Sequence, residues 1–149
     1  MYQGLLHAHS GLRWVVLFAI VYAIYDSIVG KNSGKKFSDS KLAGTLAVAS
    51  IHLQFVLGLA IYFQSPWYKM LKEMGGSVMS DSVARFYTVE HPIMMLIAVL
   101  IATIGNAKAK KASTDTAAFQ KRLLWFSIAL LVIFIAIPWP FRFANAAWF

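Results

Sequence analysis

The sequence contains no cysteine, only six acidic residues in 149, and little charge of either sign. Without cysteine there is no disulfide framework, no thiolate zinc or iron–sulfur site, and no covalent c-type haem, which requires C-x-x-C-H. Charged residues make up 13% of the chain and hydrophobic residues 59%, against about 25% and roughly 45–50% in soluble domains. A soluble domain of this length cannot hide so much apolar surface, so lipid is expected to solvate it. The formal charge of +8 would suit nucleic acid if it formed one basic face. Here the cations collect in two loops between apolar runs, which reports membrane topology and argues for no nucleic-acid partner. The start of the chain has no basic residues, and His7, His9 and Arg13 interrupt its first apolar stretch. It therefore reads as mature sequence rather than a cleaved signal peptide.

What is present is four long apolar runs, at about residues 5–25, 42–62, 83–105 and 123–138. Each approaches the ~20 residues needed to cross a hydrocarbon core of about 30 Å. A backbone in lipid must satisfy its own hydrogen bonds, so the runs are expected to be helices. The fold expected is all-α: one domain over 1–149, an integral-membrane up-down bundle of four transmembrane helices. The segment Pro138-Trp139-Pro140 ends the last run. Between the second and third, the spacing Trp67, Met70, Leu71, Met74 is that of a short helix lying on the membrane surface, either roofing the outer end of the bundle or serving as an ordinary apolar loop anchor.

Orientation follows from lysine. Lys31, Lys35, Lys36 and Lys41 follow the first run; Lys108, Lys110, Lys111, Lys121 and Arg122 follow the third. The connection between the second and third is nearly balanced, with Lys69, Lys72 and Arg85 against Glu73 and Asp81. The positive-inside rule puts the two lysine-rich loops in the cytoplasm and both termini outside. Trp67, Tyr68, Trp139 and Trp148 then fall at the outer interface.

All four histidines lie in or at the edge of the first three runs. Ionisable groups in lipid are costly and normally face the bundle interior. Counted inward from the outer surface, His9 and His91 lie at similar depth, near 6 Å at the usual helical rise. The first and third helices of an up-down bundle are usually diagonal across the core. Two histidines facing each other there can sandwich a planar macrocycle. His52 lies deeper by roughly one turn; it is an alternative axial ligand, a partner for a propionate or a bound quinone, or a proton-handling group. His7 is offset from His9 by about 200° and belongs in the headgroup region, out of the cavity that His9 faces.

Arg13 shares a face with His9 and can reach a haem propionate or Glu90; Arg85, near the outer mouth, is a second propionate partner. A buried Arg13–Glu90 ion pair is the plain structural alternative. Pro92 removes a backbone donor and frees the carbonyl of Thr88, so a kink or a helix start is expected beside His91. Met95, Ala98, Ala102 and Gly105 lie further along the same face, where small residues allow close helix approach or make room for a flat ring.

The stretches Leu6-His7-Ala8-His9-Ser10-Gly11-Leu12-Arg13-Trp14, Ile51-His52-Leu53-Gln54-Phe55-Val56-Leu57-Gly58-Leu59 and Val89-Glu90-His91-Pro92-Ile93-Met94-Met95 resemble a family of short four-helix membrane proteins of Bacteroidota labelled "cytochrome b". The resemblance covers almost the whole chain. It implies haem b held by membrane histidines, with His9, His52 and His91 at the family's motif positions, and a place in the bacterial inner membrane with periplasmic termini. The spacing from His52 to Gly58 is also similar to other haem-bearing bundles, including haem-type protoporphyrinogen oxidases and haem A synthase.

The function expected is electron transfer between a quinol or partner subunit and a periplasmic acceptor, with a homo-oligomer left open. Two alternatives stand beside it. One is a haem-dependent oxidoreductase acting on a hydrophobic substrate such as a porphyrinogen or quinol. The other is a haem-free metal-binding or structural subunit.

Overall fold

A computed structural model describes residues 2–143 of the chain. Trp148, expected at the outer interface, lies outside the described residues. Six α-helices occur in order: α1 (Tyr2–Ser33), α2 (Lys41–Gln64), α3 (Pro66–Met74), α4 (Ser82–Arg85), α5 (His91–Lys110) and α6 (Asp115–Ala136), with no strand among the described residues. A five-residue π turn, Phe86–Glu90, joins α4 to α5.

Among the described residues, four stretches are long and apolar enough to cross a membrane: Tyr2–Ser33, Phe37–Gln64, Ser82–Lys110 and Asp115–Ala136. Only 22–33% of each apolar window is buried inside the protein. Large apolar side chains such as Phe18, at 73% exposure, and Leu53 and Leu131 cover the perimeter. That inside-out distribution is what lipid, rather than water, stabilises. The chain is a multi-pass, all-α membrane bundle.

The bundle is up-down. α1 packs on α2 and α6, and α5 packs on the same two helices. α1 and α5 are therefore diagonal across the core. The centre is filled by Val16, Ile20, Ile51, Val99, Phe126 and Ile133. Small residues set the approach between neighbours: a Cβ added at Gly105 would overlap the side chain of Trp125 on α6. The stripe Met95, Ala98, Ala102 and Gly105 thus serves close helix packing.

Two boundaries differ from the sequence expectation. α1 does not stop at Asp26 but continues to Ser33, and α6 starts at Asp115, so Arg122 sits inside a helix rather than in a loop. Both differences have one cause. Asp26 and Arg122 satisfy each other inside the bundle: Arg122 Nη2 donates to Asp26 Oδ2 at 2.5 Å, Nε to Ser27 Oγ at 2.7 Å and Nη1 to the Ser40 carbonyl at 2.7 Å. The Ser40 hydroxyl also bonds the Asp26 carboxylate, and Lys35 Nζ lies 2.8 Å from its second oxygen. The guanidinium is 0% exposed and flanked by the Phe37 and Phe119 rings. A charge so placed is tolerable only because its donors are used, and removing one partner of a buried pair costs about 3–5 kcal/mol. This lock ties α1, α2 and α6 together at the lysine-rich end and leaves the opposite end free for a cavity.

Candidate functional site

The opposite end of the bundle opens into a cavity of about 550 Å³, within the roughly 300–1,000 Å³ range of cofactor and ligand sites. His9 on α1 and His91 at the start of α5 line it together. Their ring centroids are 6.4 Å apart and their planes cross at 77°.

Local sequence explains how His91 is aimed. The π turn makes the His91 N–H bond the Phe86 carbonyl, five residues back. One extra residue in a turn rotates the residues beyond it by about 100° relative to a regular helix. Arg85 and Glu90, five apart across that turn, form an ion pair at 2.7 Å. Pro92 brings no N–H to the Thr88 carbonyl, and the Tyr62 hydroxyl donates to it at 3.0 Å. The expected helix start beside His91 is therefore present, and Tyr62 of α2 completes the break.

The end of α6 fixes the ring itself. A helix leaves its last four carbonyls without backbone donors unless the chain beyond supplies them. Here Ile133 accepts from the Ile137 N–H at 2.9 Å. Phe134 accepts from Trp139 Nε1 at 2.9 Å, Ile135 from Arg142 Nη1 at 3.0 Å, and Ala136 from His91 Nδ1 at 2.7 Å. Pro138 and Pro140 could not have served Phe134 and Ala136, because proline has no N–H. A carbonyl only accepts, so the proton of a neutral His91 is on Nδ1 and Nε2 carries the lone pair. The same carbonyl contact orients metal-bound imidazoles and raises their basicity.

His9 is held differently. Its backbone carbonyl accepts from Gln54 Nε2 at 2.9 Å, and its buried Nδ1 has no hydrogen-bond partner among the described residues. Its ring rests against α2 at Gly58, where an added Cβ would stand 2.9 Å from Cε1. Gly58, singled out by its spacing from His52, in fact makes room for His9.

The other expected residues divide cleanly. Arg13 lines the cavity one turn beyond His9, buried to 8% exposure against the Trp14 ring. Arg85 does not line it, being turned to Glu90 and to the Met79 carbonyl at 3.0 Å. The Arg13–Glu90 pair considered from sequence is thereby replaced by Arg85–Glu90. His52 is on the exposed surface of α2, with Nδ1 2.7 Å from the Val48 carbonyl and Nε2 3.4 Å from Thr103 Oγ1. It is not brought to the other histidines. His7, expected outside the cavity, lines it together with His9. Trp67 of α3 also lines the cavity and stacks on Tyr87, 5.0 Å between centroids and 11° between planes, so the short amphipathic helix lies at this end and contributes to its wall. Arg142 was missed: it lines the cavity from the segment after α6, its guanidinium over Phe86 and Phe143.

The pair of imidazoles fits two-point ligation of one metal. A ring nitrogen lies roughly 1.1 Å from the ring centroid, so across a 6.4 Å separation the nearest nitrogens can come no closer than about 4 Å. That is too far for a direct N–H···N hydrogen bond, and close to the span of two metal–nitrogen bonds of about 2 Å each. No group of three or more His, Cys, Asp or Glu residues gathers as a bare-metal site among the described residues. A porphyrin, which brings four nitrogens of its own, needs only two from the protein.

Compared with protein-family models, curated proteins and solved structures, the chain matches none.

Proposed function

We propose that this chain is a membrane-embedded b-type haem protein in which His9 and His91 supply the two axial imidazoles. We further propose that it carries single electrons between a quinol or partner subunit and a periplasmic acceptor. The observation that supports this most is the facing pair itself, 6.4 Å between centroids, with the His91 ring held by the Ala136 carbonyl.

Bound there, haem supplies a one-electron couple whose potential depends on its ligands and burial. The chain's own residues do the rest. Ala136 O keeps the His91 proton on Nδ1, Gly58 and Gln54 set the position of His9, and the α3 wall with Trp67 limits water. Arg13 lies where an acidic group of the ligand is offset. His9 and His91 would hold the group between them, and with both imidazoles engaged it would supply electron transfer rather than chemistry at an open metal site.

The reading places the protein in the bacterial inner membrane with both termini periplasmic. With Arg122 buried and Lys35 paired to Asp26, the exposed lysines at the lock end still outweigh the acids there. The cavity then opens on the outer side.

A reduced-minus-oxidised optical spectrum of the purified protein tests the proposal. Sharp bands that carbon monoxide leaves unchanged are expected. Carbon monoxide binding would instead favour an oxidoreductase with a labile axial position, and absence of a Soret band after haem is supplied would remove the haem reading.

A further inference from the structure

Two arginines line the cavity beside its histidines. Arg13 reaches it from α1 and Arg142 from the segment after α6, and no aspartate or glutamate lines it among the described residues. Arg85 and Glu90 pair with each other and are not among the lining residues. Helical side chains lean toward the N-terminus of their helix. Arg13, one turn beyond His9, therefore leans back toward the level of the imidazole.

Arg142 is held at the mouth. One of its N–H groups caps the Ile135 carbonyl, and its plane lies over Phe86 and Phe143 at 5.1 and 5.2 Å. A guanidinium has five N–H donors in a fixed fork, so a cap that uses one leaves others to face a ligand. The rest of the lining is mostly apolar, with Phe55, Leu59 and Ile137 among it, alongside polar residues such as Gln54 and Tyr62. Two guanidiniums over apolar walls complement a flat, greasy molecule bearing carboxylates. Hydrogen bonds between guanidinium and carboxylate are charge-assisted and often bidentate, and they strengthen where water is sparse.

We propose that the cavity selects a dicarboxylate amphiphile, iron protoporphyrin through its two propionates, and that Arg13 and Arg142 bind those carboxylates. The inference rests on the haem reading and adds the group that orients the ring, with Arg142 in the place that sequence had given to Arg85.

The test compares two probes on the full chain in detergent: iron protoporphyrin IX and its dimethyl ester, which keeps the ring and the iron but loses both charges. Affinity is read from tryptophan quenching and the Soret band. The wild-type chain is expected to prefer the diacid by roughly tenfold or more, the scale of one charge-assisted hydrogen bond. Arg142→Gln is expected to lose most of that preference while Arg85→Gln keeps it. Equal affinity of the wild type for both probes would overturn the inference and leave the haem reading standing. Full preference retained in Arg142→Gln would overturn the role of Arg142. Binding of neither probe would remove the haem reading, and this inference with it. Should Arg142→Gln fail to fold, the wild-type comparison alone still decides whether carboxylates are selected.

Discussion

His91 donates from Nδ1 to the carbonyl of Ala136 at 2.7 Å, across the contact between α5 and α6. The acceptor is available because Ala136 ends its helix and Pro140, four residues on, has no N–H to give. One contact thereby fixes the tautomer of the neutral ring and places it at the negative end of a helix dipole. The protein's influence on a bound group begins with where a neighbouring helix stops.

Gly58 is expected to be intolerant of side chains. A Cβ there would meet His9 Cε1 at 2.9 Å, closer than carbon atoms normally approach. Gly58→Ala should shift the absorption maximum or lower haem occupancy several-fold, and Gly58→Val should do more. Gly11→Ala is the control, since nothing lies within 4 Å of its added Cβ. Its spectrum should match wild type, as measured by haem-to-protein ratio after purification.

The ion-pair lock is expected to govern stability and to leave the site alone. Arg122→Met removes one partner of a buried pair and should cost at most about 3–5 kcal/mol, because Asp26 keeps Lys35 and the Ser40 hydroxyl. The double change Asp26→Leu with Arg122→Met should recover part of that loss. Thermal or denaturant unfolding in detergent measures both, and the protein that remains folded should keep its haem spectrum. Equal stability of wild type and Arg122→Met would mean that the cluster holds nothing together.

Topology can be checked from outside intact cells. Single cysteines at Ser33 and Ser113, both exposed and both at the lock end, should resist an impermeant thiol reagent, whereas one at Ser77, exposed at the cavity end, should react. Labelling at Ser33 and Ser113 with protection at Ser77 would turn the cavity toward the cytoplasm.

The bundle was legible because lipid demands long apolar helices, and that demand is written in composition. The level of His9 with His91, and their diagonal helices, came from counting inward along two spans that enter from one side. The carbonyl freed by Pro92 was legible too, but not its new donor, because Tyr62 reaches Thr88 only through tertiary packing. Asp26 and Arg122 misled: a charge at the edge of an apolar run looks like its end, and nothing local says that a partner lies 96 residues away. Arg142 escaped notice for a related reason. It lies beyond two prolines, and only the return of that segment over Phe86 brings it to the cavity. His52 looked like a ligand by residue type and depth, yet around the axis of α2 it faces outward and bonds to Val48 and Thr103 instead.

The axial assignment is tested most directly by the low-spin optical spectrum of three alanine variants purified side by side. His9→Ala and His91→Ala should each lose the sharp reduced bands, because each removes one of two imidazoles that share a 6.4 Å gap. His52→Ala should keep them, since that ring is exposed on the far side of α2. Loss of the spectrum in His52→Ala, with a low-spin spectrum retained in His9→Ala, would contradict the assignment and move the ligand pair to His52 and His91.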